Sequence, residues 1–468
     1  MKRKILLGIS LILLLLSVSV TAERYILSAP NTKFSHSEIY DLYADAGLYY
    51  TENEALAKTL LENGDIDYYT LDAVLNAPVI PYEPAMLRLS SEPNYAWHFD
   101  EIEAECFALY DLDGSGVRVG IVDSGLSPHK DILSSKVVSA KCFMEHSDEE
   151  CDTLDYAQHG TAVAGMIIGQ GKAGSGAAGI APNAEIVVAK WTDGETGSLS
   201  SVIEAIQYCD SLNCDIINLS LGTTQEIEDY TLYYDLVAME QAIDTATAKG
   251  IIVVASAGNF GKNTRDEDFT AYPAGFSNVI GVGSVGTGLV HVASSQKNSS
   301  VFVCAPGKSI MLADGDRQNG YISGGGTSFS APYVSGMLAL LKQMNKNATV
   351  DDAKNFLKMS VTDMGNEGYD FMYGHGVVNG RLWAINLRNT TLYTSVKEGE
   401  LFGVSLDGDK TVLNMTASYE TRRMGDVKYT EIPLKDKVRK CLGEINKDIA
   451  KRQFFWEKSS LKPLCASY

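Results

Sequence analysis

Positive charge is scarce in this chain. Lys and Arg total 39 against 59 for Asp and Glu, a net charge of -20 at pH 7. So acidic a surface repels phosphate backbones and argues against nucleic acid as a partner. Long apolar runs are scarce too: after Ile5 to Val20 no second run of spanning length follows, so the mature protein is expected to be soluble. No Cys lies near Ala22, so a bacterial lipid anchor is not indicated. No His-Glu-x-x-His stretch occurs, which removes that class of zinc site.

What is present at the N-terminus reads as an export signal. Lys2, Arg3 and Lys4 form a basic start, Ile5 to Val20 an apolar core, and Val20-Thr21-Ala22 offers small residues for cleavage before Glu23. The core is short of the roughly 20 residues that span a bilayer. Residues 1–22 are therefore expected to be removed, leaving a secreted, extracellular protein with no stable membrane insertion. Eight cysteines in an exported chain point to disulfides. Local pairings are favoured: Cys142 with Cys151 around an acidic loop, Cys209 with Cys214 around a helix-to-strand turn, and Cys441 with Cys465 in the tail. Cys106 and Cys304 are left over, and Cys304, inside the apolar run Val301 to Ala305, reads as a buried small hydrophobe.

Four segments differ in character. Residues 23–90 follow the signal and carry a strand at Arg24 to Ser28, a helix at Glu52 to Glu62 and a short strand at Val79 to Tyr82, with no catalytic motif. From Val117 the pattern changes. Val117 to Val122, Ala184 to Ala189, Asp215 to Ser220, Ile251 to Ala255 and Val279 to Val282 are nearly continuous apolar runs, with helical stretches at Leu199 to Cys209 and Leu236 to Lys249. Such runs predict buried parallel strands with crossover helices, an α/β doubly wound, mostly parallel sheet. The tail 387–468 is mildly basic: Arg388 to Lys462 holds 15 Lys and Arg against 11 Asp and Glu, which leaves 24 against 48 elsewhere. Leu401 to Met415 reads as a hairpin turning at Asp407-Gly408. Leu434, Val438, Leu442, Ile445 and Ile449 share one helical face, read as core or docking surface.

Three motifs carry chemistry. Val-Asp-Ser-Gly ends at Gly125 and places Asp123 directly after an apolar strand, where an α/β crevice holds its ligands. His159 opens His-Gly-Thr-Ala-Val-Ala-Gly-Met, whose small residues let a helix pack close to a sheet. Ser328 lies in Gly326-Thr-Ser-Phe-Ser-Ala-Pro332, between glycines and a helical run. Each has an ordinary reading alone: a turn aspartate, a structural histidine, a helix-capping serine. Together they supply the carboxylate, imidazole and hydroxyl of an activated serine. The order Asp, His, Ser is one of several in which unrelated folds thread such a triad.

In order and motif the chain resembles the subtilisin-like serine peptidases, from about Asn94 to Asn386. The resemblance implies that Ser328 is nucleophile, His159 general base and Asp123 its orienting carboxylate. Asn259, ending Ile251 to Gly258, would donate its amide to the oxyanion. Ser220, Leu221 and Gly222 would line the first specificity pocket and pair with extended peptide, with Gly197-Ser198 opposite. Ala257 and Gly258 would wall that pocket and Ala271 close its base, a small neutral residue suited to apolar side chains. The family commonly has His where Ala162 stands. Asp131 matches a metal ligand of the family, but the companion loop Gly169 to Gly179 lacks the usual asparagines. Calcium therefore stays open, and no cofactor is expected to be required.

The resemblance also implies domains: a catalytic unit over 91–386, and a prosegment over 23–90 that acts as an intramolecular inhibitor until cut. Read alone, that segment equally suits a permanent small domain. The implied activity is a self-processing endopeptidase acting on peptide and protein substrates through an acyl-enzyme. A catalytically silent binding protein and an acyl-ester hydrolase are the alternatives.

Overall fold

Short β-branched runs bounded by helices dictate the central layer. The computed structural model describes residues 23–76, 96–110, 112–144, 151–194, 196–223, 230–261, 268–386, 401–407, 410–416 and 431–433. The N-terminal part comprises β1 (Tyr25–Ser28), β2 (Tyr40–Tyr43), β3 (Leu48–Thr51), α1 (Glu54–Asn63), β4 (Tyr68–Leu71) and β5 (Val74–Asn76). There follow α2 (Trp97–Asp100), β6 (Arg118–Asp123), β7 (Val137–Cys142), α3 (His159–Ile168), β8 (Glu185–Lys190), β9 (Thr196–Ser198), α4 (Leu199–Ser211) and β10 (Ile216–Leu219). Next come α5 (Tyr230–Ala248), β11 (Ile252–Ser256), β12 (Val279–Val285), β13 (Val303–Pro306), β14 (Ile310–Ala313), β15 (Tyr321–Gly324) and α6 (Thr327–Met344). The last of the main body are α7 (Val350–Met359), β16 (Val361–Thr362) and β17 (Val377–Val378).

Nine strands form one sheet in the order β16-β17-β13-β12-β11-β10-β6-β8-β7, parallel except for the edge strand β16. Alternate residues serve opposite faces. Ile121, Val188 and Val254 join the core built with α3 and α6, while Val122, Val187 and Val253 join the core built with α4 and α5. Both faces are covered, which is why the strands read as unbroken apolar runs. This is a doubly wound α/β fold, as the sequence predicts.

The N-terminal strands form an antiparallel sheet in the order β2-β3-β1-β4. Tyr25 and Leu27 pack with Tyr49 and Ala57 under α1. Ile26, Leu42 and Leu48 face the other way and merge with the core of α4 and α5. The sequence reading found β1 and α1 here but missed β2, β3 and β4, whose tyrosines and acids blur the alternation. The strand expected at Val79 to Tyr82 lies outside the described residues, as do the export signal, the stripe from Leu434 to Ile449, Cys441 and Cys465.

In the tail, β18 (Leu401–Asp407) pairs antiparallel with β19 (Lys410–Thr416), with Asp407 opposite Lys410, and β20 (Glu431–Pro433) adds a third strand. The expected hairpin is present. Cys142 and Cys151 form a disulfide. Cys209 and Cys214 do not: both are free buried thiols, with Cys209 Sγ lying over Gly120 of β6. Packing against the sheet aims that sulfur inward, which overrides the local spacing. Cys106 is disulfide-bonded, so it is not left over. Cys304 is a free buried thiol, as expected. Among the described residues no helix is long and apolar enough to cross a membrane.

Candidate active site

β6 is the strand at which the winding reverses, with β8 on one side and β10 on the other. Its carboxyl end therefore opens into the crevice where such sheets hold ligands. Asp123 is its last residue. His159 is the first residue of α3, and Ser328 the second of α6. Gly160 makes the approach feasible: a Cβ there would lie 2.2 Å from the Gly125 carbonyl oxygen. All three candidate side chains are nearly enclosed, at 3%, 2% and 2% exposure.

His159 Nδ1–H donates to Asp123 Oδ1 at 2.7 Å, and the Ser124 N–H donates to the same oxygen at 2.8 Å. Burial disfavours a charged imidazole, while the Asp123 charge and hydrogen bond favour it. The balance holds His159 above its ordinary value. His159 Nε2 and Asp123 Oδ2 are buried without hydrogen-bond partners. The Nε2–Ser328 Oγ hydrogen bond is thus not closed. The imidazole lies beside Phe329 instead, with ring centroids 5.2 Å apart. Such bonds commonly tighten only with substrate in place.

α6 begins after Gly326, whose φ of 131° suits glycine alone. Asn259 Oδ1 accepts from Thr327 N–H at 2.8 Å and Thr327 Oγ1 at 3.0 Å. That fixes the amide oxygen and leaves Nδ2 as the free donor beside the helix start. Pro332 lies inside α6 and offers no N–H to the Ser328 carbonyl four residues back. Ser220 Oγ donates to that carbonyl at 2.7 Å, and itself accepts from Asn218 Nδ2 at 2.8 Å. The hydroxyl of Ser220 is therefore engaged with the nucleophile's backbone.

The pocket residues converge by the same parallel register. Ser220, Leu221 and Gly222 leave β10, and Ala257, Gly258 and Asn259 leave its neighbour β11. A Cβ on Gly258 would lie 3.2 Å from the Ala271 Cβ, and one on Gly222 3.7 Å from it. Ala257, Ala271 and Leu221 are buried. Gly197 and Ser198 lie in β9, paired with β5: Leu75 faces Gly197 and Val74 faces Ser198.

The family model described as "Subtilase family" matches residues 114–376. M-protease of Shouchella clausii (strain KSM-K16) is 30% identical over 318 residues, 67% of this chain and 75% of that protein. Alkaline elastase YaB of Bacillus sp. (strain YaB) is 29% identical over 316 residues, 67% of this chain and 77% of that one. Among solved structures, the epidermin leader peptide processing serine protease of Staphylococcus aureus matches with a TM-score of 0.62 at 21% identity. It covers 79% of this chain and 99% of its own. The chain belongs to the subtilase family. This subtilase is accordingly a serine-type endopeptidase, and its substrates are peptides and proteins.

Asp131 in this subtilase tests the calcium expectation. Its Oδ2 accepts from the Tyr321 hydroxyl at 2.7 Å and from the Ala177 N–H at 3.0 Å. Donors, not further oxygen ligands, face that carboxylate oxygen, which does not fit a metal cradle. Among the described residues no group of three His, Cys, Asp or Glu could hold an ion. Sequence reasoning missed Gln296 near the pocket. Its N–H donates to the Gly258 carbonyl at 3.0 Å, and its Nε2 to the Phe269 carbonyl at 2.6 Å. Nothing in the polar stretch Ser294 to Ser300 marks that residue. It is a contact across distant segments.

Proposed function

We propose that this subtilase cleaves peptide bonds through an acyl-enzyme with Ser328 as nucleophile. The observation that carries the reading is the buried Asp123–His159 pair with Nε2 uncommitted, beside the helix start that holds Ser328. Ser328 Oγ attacks the scissile carbonyl carbon and gives its proton to His159 Nε2. Asp123 stabilises the imidazolium. Negative charge on the tetrahedral oxygen meets Asn259 Nδ2 and the Ser328 N–H at the start of α6. The C–N bond then breaks, with His159 returning the proton to the leaving amine, and water releases the acyl group by the reverse proton route.

The same reading makes residues 23–90 a self-inhibiting prosegment of a secreted zymogen. Support comes from the contacts of residues 23–76. β5 occupies the edge of β9 expected to bind extended substrate. Asp72 accepts from the Ser200 N–H at 2.8 Å, covering the start of α4. Tyr43 Oη donates to Asp210, and Lys249 bridges Asp210 and Asp45. We place self-cleavage between Met86 and Ser91, with Leu89 preferred on the acyl side, a stretch outside the described residues.

The test is Ser328→Ala, expected to lower kcat by about 10⁶ and to keep the prosegment attached when no other protease is present. Asn259→Ala should lose about 10²–10³ in kcat with KM little changed. A Ser328→Ala protein that matures in purified form rules out self-cleavage. One retaining a tenth of the activity removes Ser328 from the mechanism.

A further inference from the structure

A second carboxylate is built in behind the Asp123–His159 pair. Asp155 is 2% exposed and lies on the segment leading into α3. Its Oδ2 accepts from the Thr161 N–H at 2.7 Å, in the first turn of the helix that carries His159. Its Oδ1 is 2.7 Å from Ser124 Oγ. Ser124 Oγ also accepts from the Gly160 N–H at 3.0 Å and lies 3.2 Å from Asp123 Oδ1. One hydroxyl thus touches both carboxylates and the residue after His159. Ser127 completes the seam: its N–H donates to Thr161 Oγ1 at 2.9 Å, and its Oγ accepts from the Asp155 N–H at 3.3 Å.

Counting protons sharpens the picture. A serine hydroxyl has one proton and two acceptor sites. Gly160 N–H uses one acceptor site. If both carboxylates are ionised, the single proton serves one of them, and an oxygen lone pair faces the other. If Asp155 carries a proton, it donates to Ser124 Oγ, and the Ser124 proton goes to Asp123 Oδ1. All three contacts are then satisfied. Burial, together with the Asp123 charge, does push the Asp155 carboxyl upward, against the pull of its hydrogen bonds.

We infer that Asp155 is a positioning residue for the peptidase reaction, acting through Ser124 on Asp123 and through the Thr161 N–H on the start of α3. It does not touch substrate. It sets where the carboxylate and the imidazole meet. The inference rests on the triad reading above. A displacement of about 1 Å at such a pair costs about 10²-fold in rate.

The experiment compares Asp155→Ala, Asp155→Asn and Ser124→Ala in the matured enzyme with a peptide substrate. Asparagine keeps a donor toward Ser124 and an acceptor toward Thr161, the pattern of the protonated acid. Asp155→Ala and Ser124→Ala should each lower kcat by about 10- to 100-fold with KM within about twofold. Asp155→Asn should restore kcat to within about threefold of the parent. A purely structural role would move melting temperature and leave kcat of the folded fraction alone. The folded fraction is counted by covalent labelling with a fluorophosphonate. Should Asp155→Ala not fold, Ser124→Ala carries the test alone. The inference is overturned if Ser124→Ala or Asp155→Ala keeps kcat within twofold, or if asparagine is as harmful as alanine. Failure of the parent to label at Ser328 would instead sink the triad reading.

Discussion

Ser220 Oγ donates a 2.7 Å hydrogen bond to the carbonyl oxygen of Ser328, the one carbonyl that Pro332 leaves without its helical partner. A helix interrupted by proline four residues after the candidate nucleophile is thereby closed from outside, by the strand that also lines the pocket. Both residues are buried. Ser220→Ala should strand a buried acceptor, at a cost of about 1–3 kcal/mol. In a Pro332→Ala background an N–H becomes available to the same carbonyl. There the Ser220→Ala penalty should shrink to less than half. Urea titrations of the four proteins, each carrying Ser328→Ala against self-digestion, give the comparison. Equal penalties in the two backgrounds would disprove the link.

Activity should fall as pH drops through the titration of His159. Its protonated form is favoured by Asp123 over the opposing effect of burial, so its midpoint lies above its ordinary value of about 6.5. The sign follows directly: below the midpoint Nε2 carries a proton and cannot take one from Ser328. The acid limb of kcat/KM for the matured enzyme should therefore be centred above pH 6.5. A profile flat to pH 5 would exclude His159 as base.

Large apolar residues before the scissile bond should be cut faster than Arg or Lys. Gly222, Gly258 and Ala271 converge with their small side, and no acidic residue is among them. Ala271→Phe fills that space and should cut kcat/KM for a Phe or Leu substrate by tenfold or more, while an Ala substrate suffers less. A peptide library profile dominated by basic residues would contradict the reading.

The grip of the N-terminal sheet should weaken as pH rises toward neutrality. Burial lifts the Asp235 carboxyl to about 6, against the Thr70 hydroxyl that donates to it at 2.5 Å and with the Asp72 charge adding to the lift. Tyr68 faces the same spot. The docked state thus holds a proton that an exposed Asp would release near 3.9. Its contribution is full below that value and is lost as pH rises through about 6. Inhibition of the matured enzyme by the added segment 23–90 should weaken across this window. Asp235→Asn should flatten the dependence. An equally steep dependence in that variant would assign it to another group.

The catalytic candidates were legible because each sits in a motif whose small residues are themselves required: Gly160 by the Gly125 carbonyl, Gly326 by its backbone angle. The central strands were legible because both of their faces are buried. Ser220 was legible only as a position. Its hydroxyl role depends on Pro332, 112 residues on, and no local pattern links the two. Asp155 and Gln296 were invisible for the same reason: their partners meet only after the sheet is assembled. Cys209 and Cys214 misled: spacing puts two sulfurs near one another along the chain, yet both stay free thiols buried in the core.

The pairing of β5 with β9 has a further meaning for selectivity. A ladder of backbone bonds asks of its guest only free amides and carbonyls, and asks nothing of side-chain identity. A polypeptide already folded has spent those groups on its own helices and sheets. On the prosegment reading proposed above, whatever replaces β5 along Thr196–Ser198 must first come loose from its own architecture. Susceptibility along such an edge then depends on the local unfolding free energy of the victim, segment by segment, with the apolar pocket choosing among the segments that open.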